Sequence, residues 1–271
     1  VTRLAWVNMT PLGSPVVPPP VMAALARHPL VDRYDLSSVQ LIVSGGAPLG
    51  AELQRAVAAR LPGATVGQGW GLTETSIGIA TPDRDAGTVP GSVGRVMPNS
   101  ELRVVDPETG RDLGAGERGE LWARGPQVMA GYLGRPDATA EMIDADGWLH
   151  TGDLGQVDAD GNVFVVDRLK ELIKVSAYQV APAELEALLA GHPAVADAAV
   201  IPRPDATCGE VPIAAVVPRA EVDPDELMAW VAAQVAPHKR IRAVRQVDAI
   251  PRTPSGKLLR RVLIEQDRQR V

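Results

Sequence analysis

The sequence predicts an α/β part followed by an α+β part, and three observations carry that prediction. A short apolar run, Leu41-Ile42-Val43, enters a Gly-rich turn and is followed by an amphipathic helix pattern. From Gly87 to Asp167, short apolar runs alternate with Gly, Pro and Asp turns, the signature of antiparallel β-structure and here of a small barrel beside a mixed sheet. After Lys170, helix and strand patterns alternate, which reads as a compact α+β domain.

Along the chain, Val1 to Pro20 holds five prolines and no period, so it reads as irregular or edge structure. Leu41-Ile42-Val43 is a buried strand, and Ser44-Gly45-Gly46-Ala47-Pro48 is its turn. Leu49, Leu53, Val57 and Leu61 recur every four residues and predict a helix ended by Pro62-Gly63. A strand near Thr65-Val66 leads to Gln68. Leu102–Val105, Gly119–Ala123 and Val163–Val166 are the β-runs of the middle region. Pro182 to Leu189 is helical, with Leu185, Leu188 and Leu189 on one face. Ala194–Ile201 and Ile213–Val217 are strands. Asp223-Pro224-Asp225-Glu226 opens a helix with an N-cap, a proline suited to the first turn and an acid three residues on. Leu227, Trp230 and Val231 form its apolar face. The division is placed at 1–167 and 168–271, with a hinge near 167–170.

Composition narrows the class. The 271 residues are 45% hydrophobic and 22% charged, as globular proteins are. A net charge of −6 argues against a nucleic-acid partner. No apolar run approaches the ~18 residues that span a bilayer, and none resembles a signal segment. The lone Cys208 has no disulfide partner in the chain, which fits a reducing cytoplasm; an idle thiol is its ordinary reading. The chain opens at Val1, as a trimmed or truncated product would.

Four clusters carry chemistry. In QGWGLTET, Gln68 to Thr75, Gly69 and Gly71 let backbone approach a flat ligand, Trp70 offers a face for stacking, and Thr73 and Glu74 suit a phosphate oxygen and a magnesium ion. The bland alternative is a Gly-rich turn with a packed Trp. In WLHTGDLG, Trp148 to Gly155, Asp153 can accept hydrogen bonds from ribose hydroxyls; otherwise it is a turn aspartate. DRLKELIK, Asp167 to Lys174, is a solvated linker or, where the composition changes, a hinge. In RTPSGKLLRR, Arg252 to Arg261, the Ser255-Gly256 turn presents Lys257 ahead of an amphipathic helix carrying Leu258, Leu259 and Val262. A lysine there can neutralise charge that grows on an α-phosphate, or is simply exposed.

Taken together and in this order, the clusters resemble the adenylate-forming superfamily: acyl-CoA synthetases, 4-coumarate–CoA ligases, firefly luciferase and nonribosomal adenylation domains. The likeness runs from about Val16 to Leu263 and extends to HPLVDRYDLSS, SGGAPLG, GYLGRPDAT, QVAPAELEALL and EVPIAAVV, which look like 4-coumarate and fatty-acyl ligases. It implies the C-terminal part of a large AMP-binding domain, then a mobile C-terminal domain. It implies ATP, Mg2+ and coenzyme A as reactants and cofactors, with a fatty or aromatic carboxylic acid as substrate. By residue, it implies that Gly46, Gln68, Gly69 and Trp70 hold adenine and the start of the acyl pocket. Thr73 would touch phosphate and Glu74 the magnesium. Asp153 and Arg168 would hold ribose, with Lys170 at the hinge. Lys174 and Gln179 would face the adenylate in a second conformation, and Lys257 would be the catalytic lysine of adenylation.

The sequence departs from that pattern in three places. No Ser/Thr/Gly-rich phosphate loop occurs in Val1–Gly50, so that loop and most of the acyl pocket are expected upstream, and the 271 residues alone are expected not to adenylate. Ser176 and Ala177 stand where the plant-type ligases have lysine and glycine beside the coenzyme A path. Val1–Pro15 does not match the strand expected before the prolines. Two alternatives stay open: an enzyme that loads a carrier-protein thiol, and a non-catalytic remnant.

Overall fold

The computed structural model describes residues 16–76, 78–83, 87–253 and 256–269, so the reading of Val1–Pro15 lies outside the described residues. The chain divides into two compact units, one ending at Val165 and the other beginning at Val166. The fold is mixed α/β with several sheets.

The first unit begins with a parallel sheet of β1 (Val16–Val17), β2 (Leu41–Ser44) and β3 (Thr65–Gln68), in that order. Val43 pairs with Val16 and Gly67, so β2 is central. Helices α1 (Pro19–Arg27) and α2 (Ala51–Arg60) pack on it through Met22, Ile42, Val57 and Val66. The prolines expected to keep the start irregular instead open α1, because its first positions need no backbone donor. Gln54 of α2 is buried and donates to Val66 O at 2.9 Å while accepting from Gly91 N at 3.2 Å, which ties the helix to β3 and to the turn at Gly91.

A short pair, β4 (Ala80–Thr81) with β5 (Arg95–Val96), leads to a four-stranded sheet. Its order is β6 (Glu101–Val105), β7 (Gly119–Arg124), β8 (Leu149–Val157) and β9 (Val163–Arg168). Among the described residues this sheet is open, with no pairing from β9 back to β6, where the sequence led us to expect a small barrel. Four short strands provide too little stagger and circumference to close. Helix α3 (Pro136–Met142) lies before β8.

The second unit is one sheet of order β11-β10-β13-β12, with β14 parallel to β13. Its strands are β10 (Ile173–Val175), β11 (Tyr178–Val180), β12 (Val195–Asp205), β13 (Gly209–Pro218) and β14 (Ala243–Gln246). Helices α4 (Pro182–Ala190) and α5 (Pro224–Ala232) bury Leu185, Leu189, Leu227 and Val231 in one core. Asp223 caps α5 by accepting from Asp225 N at 2.8 Å, as its position predicts. Helix α6 (Arg260–Arg268) buries Leu263 and Asp267 against β12 and β13. Leu259 and Val262, assigned to its apolar face, are each 38% exposed. An isolated bridge from Arg252 to Leu258 keeps the chain extended until Leu259, so the helix starts later and its face is turned.

Candidate active site

The first-unit residues gather at the carboxyl ends of β2 and β3. Gly69 N donates to Ser44 O at 2.8 Å, which joins the two turns. Gly46 has a φ of +83° in the exposed turn after β2, a conformation glycine adopts without a Cβ penalty. Gln68 is 6% exposed and its Oε1 accepts from Leu49 N at 2.9 Å, so it clamps the start of α2.

Trp70 does not present the open face expected of it. It is 9% exposed and packs with Leu72, Ile79, Val93 and Leu121. Its indole Nε1 instead donates to Asp153 Oδ2 at 2.8 Å, joining clusters that lie 83 residues apart. Asp153 is itself 4% exposed. Strand β8 aims it by a bulge: between Glu120 and Trp122 of β7, the partner residues move from Leu154 to His150. Gly152 in that bulge has a φ of +68°, and its amide donates to Glu120 Oε1 at 2.9 Å. Thr151 Oγ1 accepts from Asp153 N at 3.1 Å and donates to Leu121 O at 2.6 Å. These bonds pin the segment on both sides of Asp153, so the carboxylate is preorganised.

Thr73 is exposed and Glu74 half-buried on a 3₁₀ turn, Thr73–Thr75, that Thr75 Oγ1 braces by accepting from Leu72 N at 2.9 Å. The segment from Gln127 to Tyr132, to which sequence reasoning assigned no role, is stitched to this turn. Ser76 Oγ donates to Gln127 O at 3.0 Å, Met129 N donates to Glu74 O at 2.8 Å, and Tyr132 Oη donates to Glu74 Oε1 at 2.5 Å. That bond to a carboxylate raises the pKa of Tyr132 above the ordinary phenol value. Gly131, at φ +145°, lets the chain pass Thr139, whose side chain a Cβ would meet at 2.7 Å. Thr139 Oγ1 in turn accepts from Tyr132 N at 2.9 Å. The GYLGRPDAT pattern was the signal for this tyrosine.

Among the described residues, no group of three or more His, Cys, Asp or Glu could hold a metal ion. A single oriented carboxylate still suits magnesium, which keeps most of its waters and binds substrate phosphates alongside one or two protein oxygens.

In the second unit, Lys174 and Gln179 are exposed and directly opposite each other across the β10–β11 hairpin, so they share one face. Ser176 and Ala177 are its two-residue turn, and Ser176 takes a φ of +54°. Its amide donates to Cys208 O at 2.7 Å, and half-buried Cys208 packs against the core. Lys170 is exposed on the 3₁₀ turn Leu169–Glu171. Arg168 is half-buried, and its amide donates to Asp167 Oδ1 at 2.8 Å. Asp167 Oδ2 also accepts from Ala183 N at 2.9 Å, in the first turn of α4; burial still lifts its pKa.

Lys257 is exposed, and residues 254 and 255 lie outside the described residues. Thr253 N donates to Lys257 O at 2.8 Å, Lys257 N to Thr253 Oγ1 at 3.0 Å, and Gly256 N to Thr253 O at 2.8 Å. Arg252 anchors the loop, donating to Gly256 O at 3.2 Å and to both oxygens of Asp197.

The chain is similar to known proteins of one family. A family model described as "AMP-binding enzyme" matches residues 13–133, and one described as "AMP-binding enzyme C-terminal domain" matches 184–257. The chain is 52% identical over 253 residues to 4-coumarate-CoA ligase 2 of Narcissus pseudonarcissus, covering 91% of this chain and 44% of that one. It is 48% identical over 257 residues to 4-coumarate–CoA ligase 1 of Glycine max, covering 92% of this chain and 87% of that one. ATP-bound MatB from Rhodopseudomonas palustris matches with a TM-score of 0.87 at 33% identity, over 93% of this chain and 50% of that one. The chain spans about half the length of the Narcissus relative and of several others like it.

Proposed function

We propose that this chain, which belongs to the AMP-binding enzymes of the adenylate-forming superfamily, is part of an acid–CoA ligase acting through an acyl-adenylate. A carboxylate oxygen attacks the α-phosphorus of ATP, the bond to pyrophosphate breaks, and acyl-AMP forms. A thiol then attacks the acyl carbon and AMP leaves. The observation that carries this reading is the Trp70–Asp153 hydrogen bond, because it brings the expected adenine side and ribose side of one nucleotide site together at a buried point.

The roles rest on placement. Asp153, held at its bulge, accepts from ribose hydroxyls, and Trp70 acts as its buried donor rather than as a stacking platform. Thr73 donates to a phosphate oxygen. Glu74, fixed by Tyr132, would hold magnesium, which when bound would neutralise phosphate charge. Lys257 serves adenylation alone: charge grows on the α-phosphate oxygens as the carboxylate attacks, and a cation aimed at that charge lowers the barrier. Arg168 contributes to the ribose side, and Lys170 lies at the hinge. Lys174 and Gln179, paired on one face, serve the thiol-transfer step as a unit.

A second reading concerns the acceptor. The Ser176-Ala177 turn lacks the cation and the glycine that accompany coenzyme A in plant-type ligases, which weakens one phosphate contact and keeps a carrier-protein thiol as the alternative acceptor, while the QVAPAELEALL run favours free coenzyme A. Incubating the complete protein with a carboxylic acid, ATP and either acceptor tests both readings. The first expects AMP, pyrophosphate and a free CoA thioester. Labelling of a phosphopantetheinyl carrier without CoA thioester supports the second, and release of ADP in place of AMP contradicts both. The 271 residues alone are expected to show no pyrophosphate exchange, since Val1–Gly50 holds no phosphate loop.

A further inference from the structure

Within the second unit, one arginine is gripped from two directions. Arg260, the first residue of α6, has a side chain 14% exposed. Its Nη1 lies 3.1 Å from Glu186 Oε1 and its Nη2 donates to Glu186 Oε2 at 3.1 Å, a two-pronged pairing with α4. Its Nε lies 3.2 Å from Glu171 Oε2, on the 3₁₀ turn that follows β9, an ion pair without hydrogen-bond geometry. Glu186 Oε1 is fixed in turn by Val200 N of β12 at 2.8 Å. The same strand supplies Asp197, which holds Arg252 at the other end of the Lys257 loop. The loop is therefore clamped at both ends, and one clamp reaches the turn assigned as the hinge.

We propose that Arg260 is a positioning residue that couples the Leu169–Glu171 turn to the Lys257 loop, so that the conformation of the one sets the presentation of the other. The role given to that loop and turn rests on the adenylation reading; the coupling itself does not.

The charges around Arg260 support a tuned device rather than a passive pair. Glu186 faces Arg260, with Asp167 and Arg252 nearby, and burial pushes its pKa up to about 7 despite the pull of Arg260. Glu186 is buried against this guanidinium, so losing Arg260 leaves its carboxylate uncompensated. Glu171, by contrast, is a third exposed and sits on the turn, away from the loop. It reports on coupling without emptying the core.

Hydrogen exchange on the 271-residue chain tests this, read at the amides of Thr253, Gly256 and Lys257. Glu171→Gln and Arg260→Gln are each expected to speed exchange there by about tenfold. The double variant should do no more than Arg260→Gln alone, because that change already removes the link to Glu171. Arg260→Lys should recover only part of the protection, because one ammonium cannot hold Glu186 through two nitrogens and also reach Glu171, and the amides of Ile213–Val216 in β13 should not change. If Glu171→Gln loosens only residues 169–172 and leaves the loop protected, the coupling is refuted. Should Arg260→Gln fail to fold, Glu171→Gln decides alone. No substrate is present, so this outcome stands apart from adenylation, whose own failure would appear as full activity in a Lys257→Ala enzyme.

Discussion

The Asp153 segment and the Lys257 loop are built in opposite ways. Asp153 is 4% exposed, sits on a bulge in a sheet, and has an indole donor fixed to one oxygen. Lys257 is exposed, and its backbone is held by Thr253 while its side chain is left to solvent. A group that recognises an unreacting part of a ligand gains from being fixed in advance. A group that meets charge only during the reaction must be presented for one step and withdrawn for the next. The contrast teaches which residue should govern binding and which should govern rate.

The strongest way to break the contrast is Lys257→Ala in the complete protein. Pyrophosphate exchange should fall by about 10²–10³, or roughly 3–4 kcal/mol of barrier, with nucleotide affinity little changed. Comparable losses in affinity would mean that the lysine binds rather than catalyses.

The second unit also holds charges that set stability, and they should be separable from the lysine. Asp267, 4% exposed, pairs with Arg203 at 2.6 Å and Arg245 at 2.7 Å, and the Arg203 bond first among them holds its pKa below the usual value. Its contribution is present above the ordinary carboxylate pKa of about 4 and is lost as pH falls through the depressed value. Asp267→Ala strands two cations and should cost about 3 kcal/mol in urea unfolding at pH 7. Glu186 runs the other way. Burial raises its pKa from 4.5 to about 7, so the folded chain binds the extra proton and stability declines as pH rises across that window. The decline should be roughly 3 kcal/mol, and Glu186→Gln should flatten it in a series of melts from pH 4 to 8.

Much of the fold was readable from local pattern. The Leu41–Val43 strand, the helix after Gly50 and the Asp223 cap are specified by residues within a few positions of one another. Helix α1 was hidden by Pro18-Pro19-Pro20, which looks like a break but supplies the first helical turn. Strand β8 was only partly legible, because the positions it buries after Leu149 are Thr151, Asp153 and Gly155, which leave no apolar alternation to read. The site clusters were readable as motifs, yet their partners were not. Trp70 with Asp153, Tyr132 with Glu74 and Arg260 with Glu186 join residues 83, 58 and 74 positions apart, and nothing local in the sequence names such pairs.

The Trp70–Asp153 bond offers a smaller and sharper test. Trp70→Phe keeps most of the packing and removes the indole donor from the buried carboxylate. It should cost about 1–2 kcal/mol of stability and weaken nucleotide binding several-fold, in line with the loss of one buried hydrogen bond to a charged group.

Calorimetry with a non-hydrolysable acyl-adenylate bears most directly on the nucleotide cradle. The 271-residue chain should bind it, Asp153→Ala should weaken that binding at least about tenfold, and Lys257→Ala should leave it within about twofold. No heat of binding from a folded chain, or equal affinity in the Asp153→Ala chain, would contradict the account and favour a remnant that holds no nucleotide.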